Sequence, residues 1–143
     1  MDYSIDLVVD TSALVAILFQ ESEAEAMLHK LSLARRIGIS AASKTELLMV
    51  IGSRMSLPGR DMALELLNRY RIITIPVDDN ISELAAEAFF IYGKGRHSAG
   101  LNYGDCFSYA LAKYLKVPLL FKGEDFSKTD ISVLASIGME TQA

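Results

Sequence analysis

Apolar and polar positions follow two periods along this chain, one that suits short strands and one that suits helices. Residues 5–10 form a compact apolar run with β-branched members and polar flanks, the pattern of a buried strand. Thr11 or Ser12 then offers a cap for a helix over residues 13–20. Across residues 23–36, Ala24, Met27, Leu28 and Leu31 recur at the spacing of one helix face. Gly38-Ile39-Ser40 reads as a brief strand. Residues 41–55 predict a helix in which Leu47, Leu48, Val50 and Ile51 make a broad apolar face, and Pro58-Gly59 restarts a helix to about Arg71. Residues 72–77 are strand-like and end at Asp78-Asp79-Asn80, a cap for a helix over residues 81–92. The glycine-rich, basic stretch 93–100 is a loop. A helix over Tyr103–Leu115 and a strand over residues 118–121 follow, and residues 131–137 fit either state. Strands alternating with helices imply an α/β fold, a parallel sheet between helical layers.

At 143 residues the chain fits one domain spanning 1–143. It is 51% hydrophobic, with mean hydropathy +0.27, and part of that excess is expected to cover an oligomer interface. The net charge of −4 argues against a protein that holds nucleic acid by bulk positive charge. It does not exclude an enzyme that meets nucleic acid through a bound metal. Cys106 is the single cysteine, which points to a reducing compartment. The start Met1-Asp2-Tyr3-Ser4 lacks the basic region of a signal peptide, and no segment is long and uncharged enough to span a bilayer. A cytoplasmic location without membrane contact is therefore expected.

Four acids follow a strand or open a helix: Asp10, Glu46, Asp105 and Asp125. In an open α/β sheet the carboxyl ends of the strands share one crevice, so acids placed there converge. Converging carboxylates repel one another unless a cation joins them, and oxygen ligands suit Mg²⁺ or Mn²⁺. Each acid also has a plainer reading. Asp10 is a candidate N-cap, partly redundant with Thr11 and Ser12. Glu46 fits a capping box with Ser43. Asn102 can cap the helix that holds Asp105 in its first turn, where the helix dipole should lower the carboxyl pKa. Asp125, after Gly123, can be an ordinary turn residue, and its neighbour Glu124 can exchange roles with it. Among other groups, His29 and His97 lack zinc-ligand spacing, Cys106 suits a small core residue, and no phosphate-binding glycine loop is present.

The strand ending in Asp10-Thr11-Ser12, the helix start Ala41-Ala42-Ser43-Lys44-Thr45-Glu46, and the blocks from Leu101 to Ala112 and from Leu119 to Phe126 together resemble the PIN-domain family. The resemblance is to its VapC-type ribonuclease toxins of toxin–antitoxin pairs. The block Leu101-Asn102-Tyr103-Gly104-Asp105-Cys106-Phe107-Ser108-Tyr109 is the most specific part. The resemblance implies a three-layer α/β/α sandwich, a homodimer, and a Mg²⁺- or Mn²⁺-dependent endoribonuclease held in check by a small antitoxin protein. It implies that Asp10, Glu46 and Asp105 hold the metal, with Asp125 binding a second ion or bracing water. Thr11 or Ser12 would bond a ligand or the phosphate. Lys94, Arg96 and His97 are either RNA backbone contacts or a solvated connector. Two other readings remain open at this stage: a phosphoaspartate or receiver-type domain, which also places acids at strand ends, and a non-catalytic module that keeps the fold for binding.

Overall fold

The computed structural model describes residues 4–131. Among the described residues one four-stranded parallel sheet runs in the order β3-β2-β1-β4, with β1 Leu7–Val9, β2 Ile37–Ser40, β3 Ile73–Ile75 and β4 Leu119–Leu120. Helices α1 Thr11–Leu18 and α2 Ala24–Leu33 connect β1 to β2. Helix α3 Ala41–Arg69 connects β2 to β3. Helices α4 Asp79–Tyr92 and α5 Tyr103–Leu115 connect β3 to β4, and a short 3-10 turn over Phe126–Lys128 follows.

Strands β1, β2 and β4 are buried on both faces, which is why they read as nearly continuous apolar runs, while the edge strand β3 exposes Thr74. Successive side chains point to opposite faces. Leu7, Val9, Ile37, Ile39 and Leu120 pack with Leu14, Leu31, Leu47, Ile51 and Leu67, so α1, α2 and α3 cover one face. Val8, Ile75 and Leu119 pack with Ile81, Ala85, Ala88, Tyr109 and Leu111, so α4 and α5 cover the other. This is the three-layer sandwich the resemblance implies. Full burial of each such aliphatic side chain stabilises the fold by roughly 1.5–3 kcal/mol. Gly38 sits in this packing where a Cβ would come 2.8 Å from the Ile75 Cδ1.

Several elements are shorter than the sequence pattern predicts. The first strand starts at Leu7, and α2 stops at Leu33 rather than Arg36. One interaction explains both: the Asp6 carboxylate accepts the Arg35 and Arg36 N–H groups at 3.0 and 3.1 Å, clamping the turn into β2. Helix α3 is broken at Ser56 (φ 58°, ψ −155°), just before Pro58. Proline has no N–H and its ring clashes with the preceding turn, so the two predicted helical pieces meet at a kink. Of residues 131–137, Ile131 packs against the α4–α5 side of the core, and the rest lie outside the described residues. Among the described residues no helix is long and apolar enough to cross a membrane.

Candidate active site

All strands are parallel, so their carboxyl ends lie along one edge of the sheet. Asp10 follows β1 directly, Ser40 leads from β2 into α3 with Glu46 in its second turn, Asp105 lies in the first turn of α5, and Asp125 follows β4.

Asp10 is buried and caps α1, its Oδ2 accepting the Ser12 N–H at 3.0 Å. The expectation that Thr11 or Ser12 caps this helix is corrected, because both lie inside it. Thr11 is buried and donates its hydroxyl to the Ser43 carbonyl at 3.0 Å, and Ser12 Oγ accepts the Lys122 N–H at 3.0 Å. Both hydroxyls thus tie α1 to neighbouring backbone. The second Asp10 oxygen, Oδ1, accepts the Ser108 hydroxyl at 2.5 Å, and Ser108 pairs with Ser43 at 3.0 Å. A hydroxyl has one proton to donate. Ser108 gives its proton to Asp10, so Ser43 supplies the proton between the two serines. The sequence pattern suggested a cap for Ser43 and no role for Ser108. The signal for Ser108 was a serine in an otherwise apolar helical stretch, three residues after Asp105 on the same face.

The capping box proposed for Ser43 and Glu46 does not form. Ser40 is the cap, its hydroxyl accepting the Ala42 N–H at 3.2 Å, and Ser43 is buried within the helix. Glu46 is left without a capping role and lies against α5. A Cβ on Gly104 would come within 2.9 Å of both Glu46 carboxylate oxygens. The capping box predicted around Asp105 does form: Asn102 Oδ1 accepts the Asp105 N–H at 2.8 Å, and Asp105 Oδ2 accepts the Asn102 N–H at 3.0 Å.

The expected low pKa at Asp105 is reversed. Burial pushes this carboxyl up to about 7, opposed by the Asn102 N–H and reinforced by the negative charges of Asp10, Asp125 and Glu46. The local helix dipole is outweighed by desolvation and by three acids brought in by the fold. Asp125 is exposed at the rim of this group and accepts no capping hydrogen bond.

The donor set is all carboxylate, which suits a hard divalent cation. Glu46 seated on a side-chain-free stretch of α5 and the mutual repulsion at Asp105 both fit a cation bound here. Among the described residues no three acids, histidines or cysteines already converge tightly enough to form a cage. Mg²⁺ is compatible with that spacing, because it keeps several waters and often takes only one or two carboxylates directly.

The other candidates are placed outside this chemistry. His29 is exposed on α2, and His97 Nδ1 accepts the Ala99 N–H at 2.9 Å. Burial, with the Asp105 charge, pushes the Cys106 thiol up to about 11, leaving it a core residue rather than a nucleophile. Asp78 caps α4 by accepting the Ile81 N–H at 2.9 Å, the structural role its position after β3 suggested. Lys122 is paired with Glu21 and Glu23.

The family model described as PIN domain matches residues 7–132. A VapC ribonuclease of Mycobacterium bovis is 47% identical over 130 residues, covering 90% of this chain and 98% of that protein. Ribonuclease VapC of Mycolicibacterium smegmatis is 48% identical over 129 residues, covering 90% and 99%. Among solved structures, Mycobacterium tuberculosis VapC20, described as a sarcin-ricin loop cleaving toxin, superposes with TM-score 0.73 at 15% identity, covering 88% of this chain and 96% of that one. VapBC2 of Rickettsia felis, bound to a promoter DNA fragment, superposes with TM-score 0.69 at 14% identity, covering 90% and 96%. At these identities the structural likeness concerns the fold. The chain belongs to the PIN-domain family and, within it, to the VapC ribonucleases of toxin–antitoxin systems. Nucleases of this family are in general dependent on divalent metal.

Gly104→Ala separates the site from the fold. Alanine is favoured over glycine in a helix by about 0.5–1 kcal/mol, and the atoms it meets belong to the end of a flexible glutamate. The variant is expected to melt at or slightly above the parent while RNA cleavage falls at least about tenfold, because Glu46 is displaced. Thermal melts and cleavage gels on one preparation check this, and parental cleavage would show that the Glu46 position is unimportant.

Proposed function

We propose that Asp10, Glu46, Asp105 and Asp125 hold Mg²⁺ or Mn²⁺ and that this chain uses the site to hydrolyse RNA phosphodiester bonds. The observation that carries the proposal is the Asp105 carboxyl, raised by burial and by the other three acids, in a chain of the VapC family. The bound cation would supply Lewis acidity toward the phosphate and acidify a water for in-line attack. The chain's own groups prepare the place. Asp10 is fixed through both oxygens, by the Ser12 N–H and the Ser108 hydroxyl, with its remaining lone pairs free to bind. Asp105 is oriented by its capping box, and its raised carboxyl would release its proton to make room for a cation. Asp125, at the exposed rim, would bind a second ion or brace a water.

Cleavage of RNA by the purified protein, with and without a chelator, tests this directly. Activity is expected to need divalent metal and to leave no cyclic phosphate end. The site holds no histidine pair to deprotonate the ribose hydroxyl. Cleavage that survives exhaustive chelation, or a cyclic phosphate product, defeats the mechanism.

The same reading extends to partners. Structural relatives include a toxin–antitoxin complex from Klebsiella pneumoniae. An antitoxin arginine or lysine entering this acid cluster would satisfy the carboxylates that otherwise take metal. Such inhibition should weaken as Mn²⁺ is raised, and insensitivity to metal would exclude it. A homodimer is proposed through α3. Its Leu47 and Ile51 are consumed by the core, but Met49, Leu57 and Met62 remain 66%, 69% and 43% exposed. A monomer mass by light scattering at micromolar concentration would remove that proposal. One PIN domain over 1–143 and a cytoplasmic setting complete the reading, and limited proteolysis and cell fractionation check them.

A further inference from the structure

Beside the acids the surface changes from charged to aromatic. A groove of about 500 Å³ between α4 and α5 is lined by Phe89, Phe90, Tyr103 and Phe107, with the small Ala85 and Ala86 between them. Tyr103 is 80% exposed and Phe90 62%, a large apolar area to leave in water. The rings brace one another in edge contacts, Tyr103 on Phe107 at 4.9 Å and Phe89 with Phe90 at 5.9 Å between centroids.

The groove adjoins two features that suit a nucleic acid strand. On its α5 side Tyr103 opens the helix, two residues before Asp105 and next to Gly104, where an added Cβ would meet Glu46. On its α4 side the Arg96 guanidinium lies 4.9 Å from the Phe90 centroid and 5.6 Å from that of Phe89. Arg96 has no ion pair among the described residues, in a chain of net charge −4. Acid cluster, aromatic rings and cation are thus carried by neighbouring residues of α4, α5 and the loop between them.

We propose that this groove receives an unstacked nucleobase of the RNA beside the scissile phosphate, with Tyr103 and Phe90 as stacking surfaces and Arg96 on the adjoining backbone phosphate. The proposal rests on the ribonuclease reading and adds to it a binding site for one base beside the cut. Three properties favour this occupant over a protein helix. The volume falls in the range of small-molecule sites, on the order of 300–1,000 Å³. A docked helix needs a longer trough that accepts several turns of side chains. Exposed aromatic rings beside a cation match base stacking next to a phosphate contact.

The test compares RNA binding in the Asp105→Asn background, which is expected to block cleavage and remove one repelling charge. Two fluorescein-labelled probes are used: a single-stranded RNA oligonucleotide of mixed sequence and a matched abasic strand that keeps the sugar–phosphate chain. Added Tyr103→Ala or Phe90→Ala is expected to weaken binding of the base-bearing strand about tenfold and to leave the abasic strand unchanged. Tyr103→Phe, which keeps a ring, should restore affinity. Arg96→Ala should weaken both strands and lower the salt slope by about one. Exposure of Phe90 and Tyr103 predicts melting temperatures close to the parent. Unchanged affinity in both ring variants, or equal loss on both strands, overturns the proposal. So does a change of oligomer mass in Phe90→Ala, which would assign the groove to a second copy of the chain. If the unsubstituted protein cuts no RNA, the ribonuclease reading falls and takes the groove with it. If it cuts RNA while the ring variants bind normally, only the groove assignment falls.

Discussion

Asp105→Asn is expected to abolish RNA cleavage, on the order of a thousandfold or more, and to raise the melting temperature of the metal-free protein. The two effects have one origin. In the fold this carboxyl is half-buried and feels the charges of three other acids, so its charge is costly until a cation shares it. An amide keeps the size, removes the charge and can still accept the Asn102 N–H that closes the capping box. Asp10→Asn is expected to lose activity equally but to leave stability near the parent. Asparagine caps helices about as well as aspartate; its amide oxygen can accept the Ser12 N–H while its NH2 donates to Ser108, whose proton then turns to Ser43. Asp10→Ala provides the contrast. It removes the cap, worth about 1 kcal/mol, and leaves the buried Ser108 hydroxyl without its acceptor, worth roughly 1–3 kcal/mol more. Cleavage assays with melts in chelator test all three variants. Near-parental cleavage by Asp105→Asn, or a melting temperature for Asp10→Asn as low as that of Asp10→Ala, would contradict this account.

What the sequence made legible was whatever is encoded locally. Helix α5 starts at Tyr103 and ends at Leu115 as predicted, because Asn102 and Asp105 form a capping box within four residues and the basic glycine loop isolates it. The four acids stood out because each follows an apolar run or opens a helix, and parallel topology carries such positions to one edge. The misread positions were those decided by contacts distant in sequence. Serines at both 40 and 43 offer a start to α3, and the local pattern favours Ser43 because Glu46 stands three residues on. Ser43 is instead turned inward to Ser108, 65 residues away, and Ser40 takes the cap. Asp10 has nearby capping competitors, but its geometry is set with help from Ser108, 98 residues distant. The direction of the Asp105 shift was misread for the same reason. The dipole is visible in the local sequence, whereas burial and the Asp10, Glu46 and Asp125 charges exist only after folding.

The raised Asp105 carboxyl also makes stability depend on pH in an unusual direction for an aspartate. In the metal-free fold this group titrates at about 7, against an ordinary value of 3.8 in the unfolded chain. Between those values the folded protein holds a proton that the unfolded chain has released, so unfolding becomes easier as pH rises. The stabilising contribution is complete below the unfolded value and lost by the time pH passes the folded one. The carboxyl is only partly buried, so solvent screening reduces the effect to roughly 1–2 kcal/mol. Metal should invert the trend. A cation must displace the Asp105 proton, so its affinity grows as pH rises toward neutrality, and the stabilisation it confers grows with it. Melting temperatures in chelator are therefore expected to fall from about pH 4 to about pH 7, with the gap between Mn²⁺ and chelator curves widening over the same interval. Asp105→Asn should flatten the chelator curve and narrow the gap. A parent whose metal-free stability stays level or rises across that window, or an Asp105→Asn variant with the parent's full slope, would show that the acid cluster does not impose this charge cost on the fold.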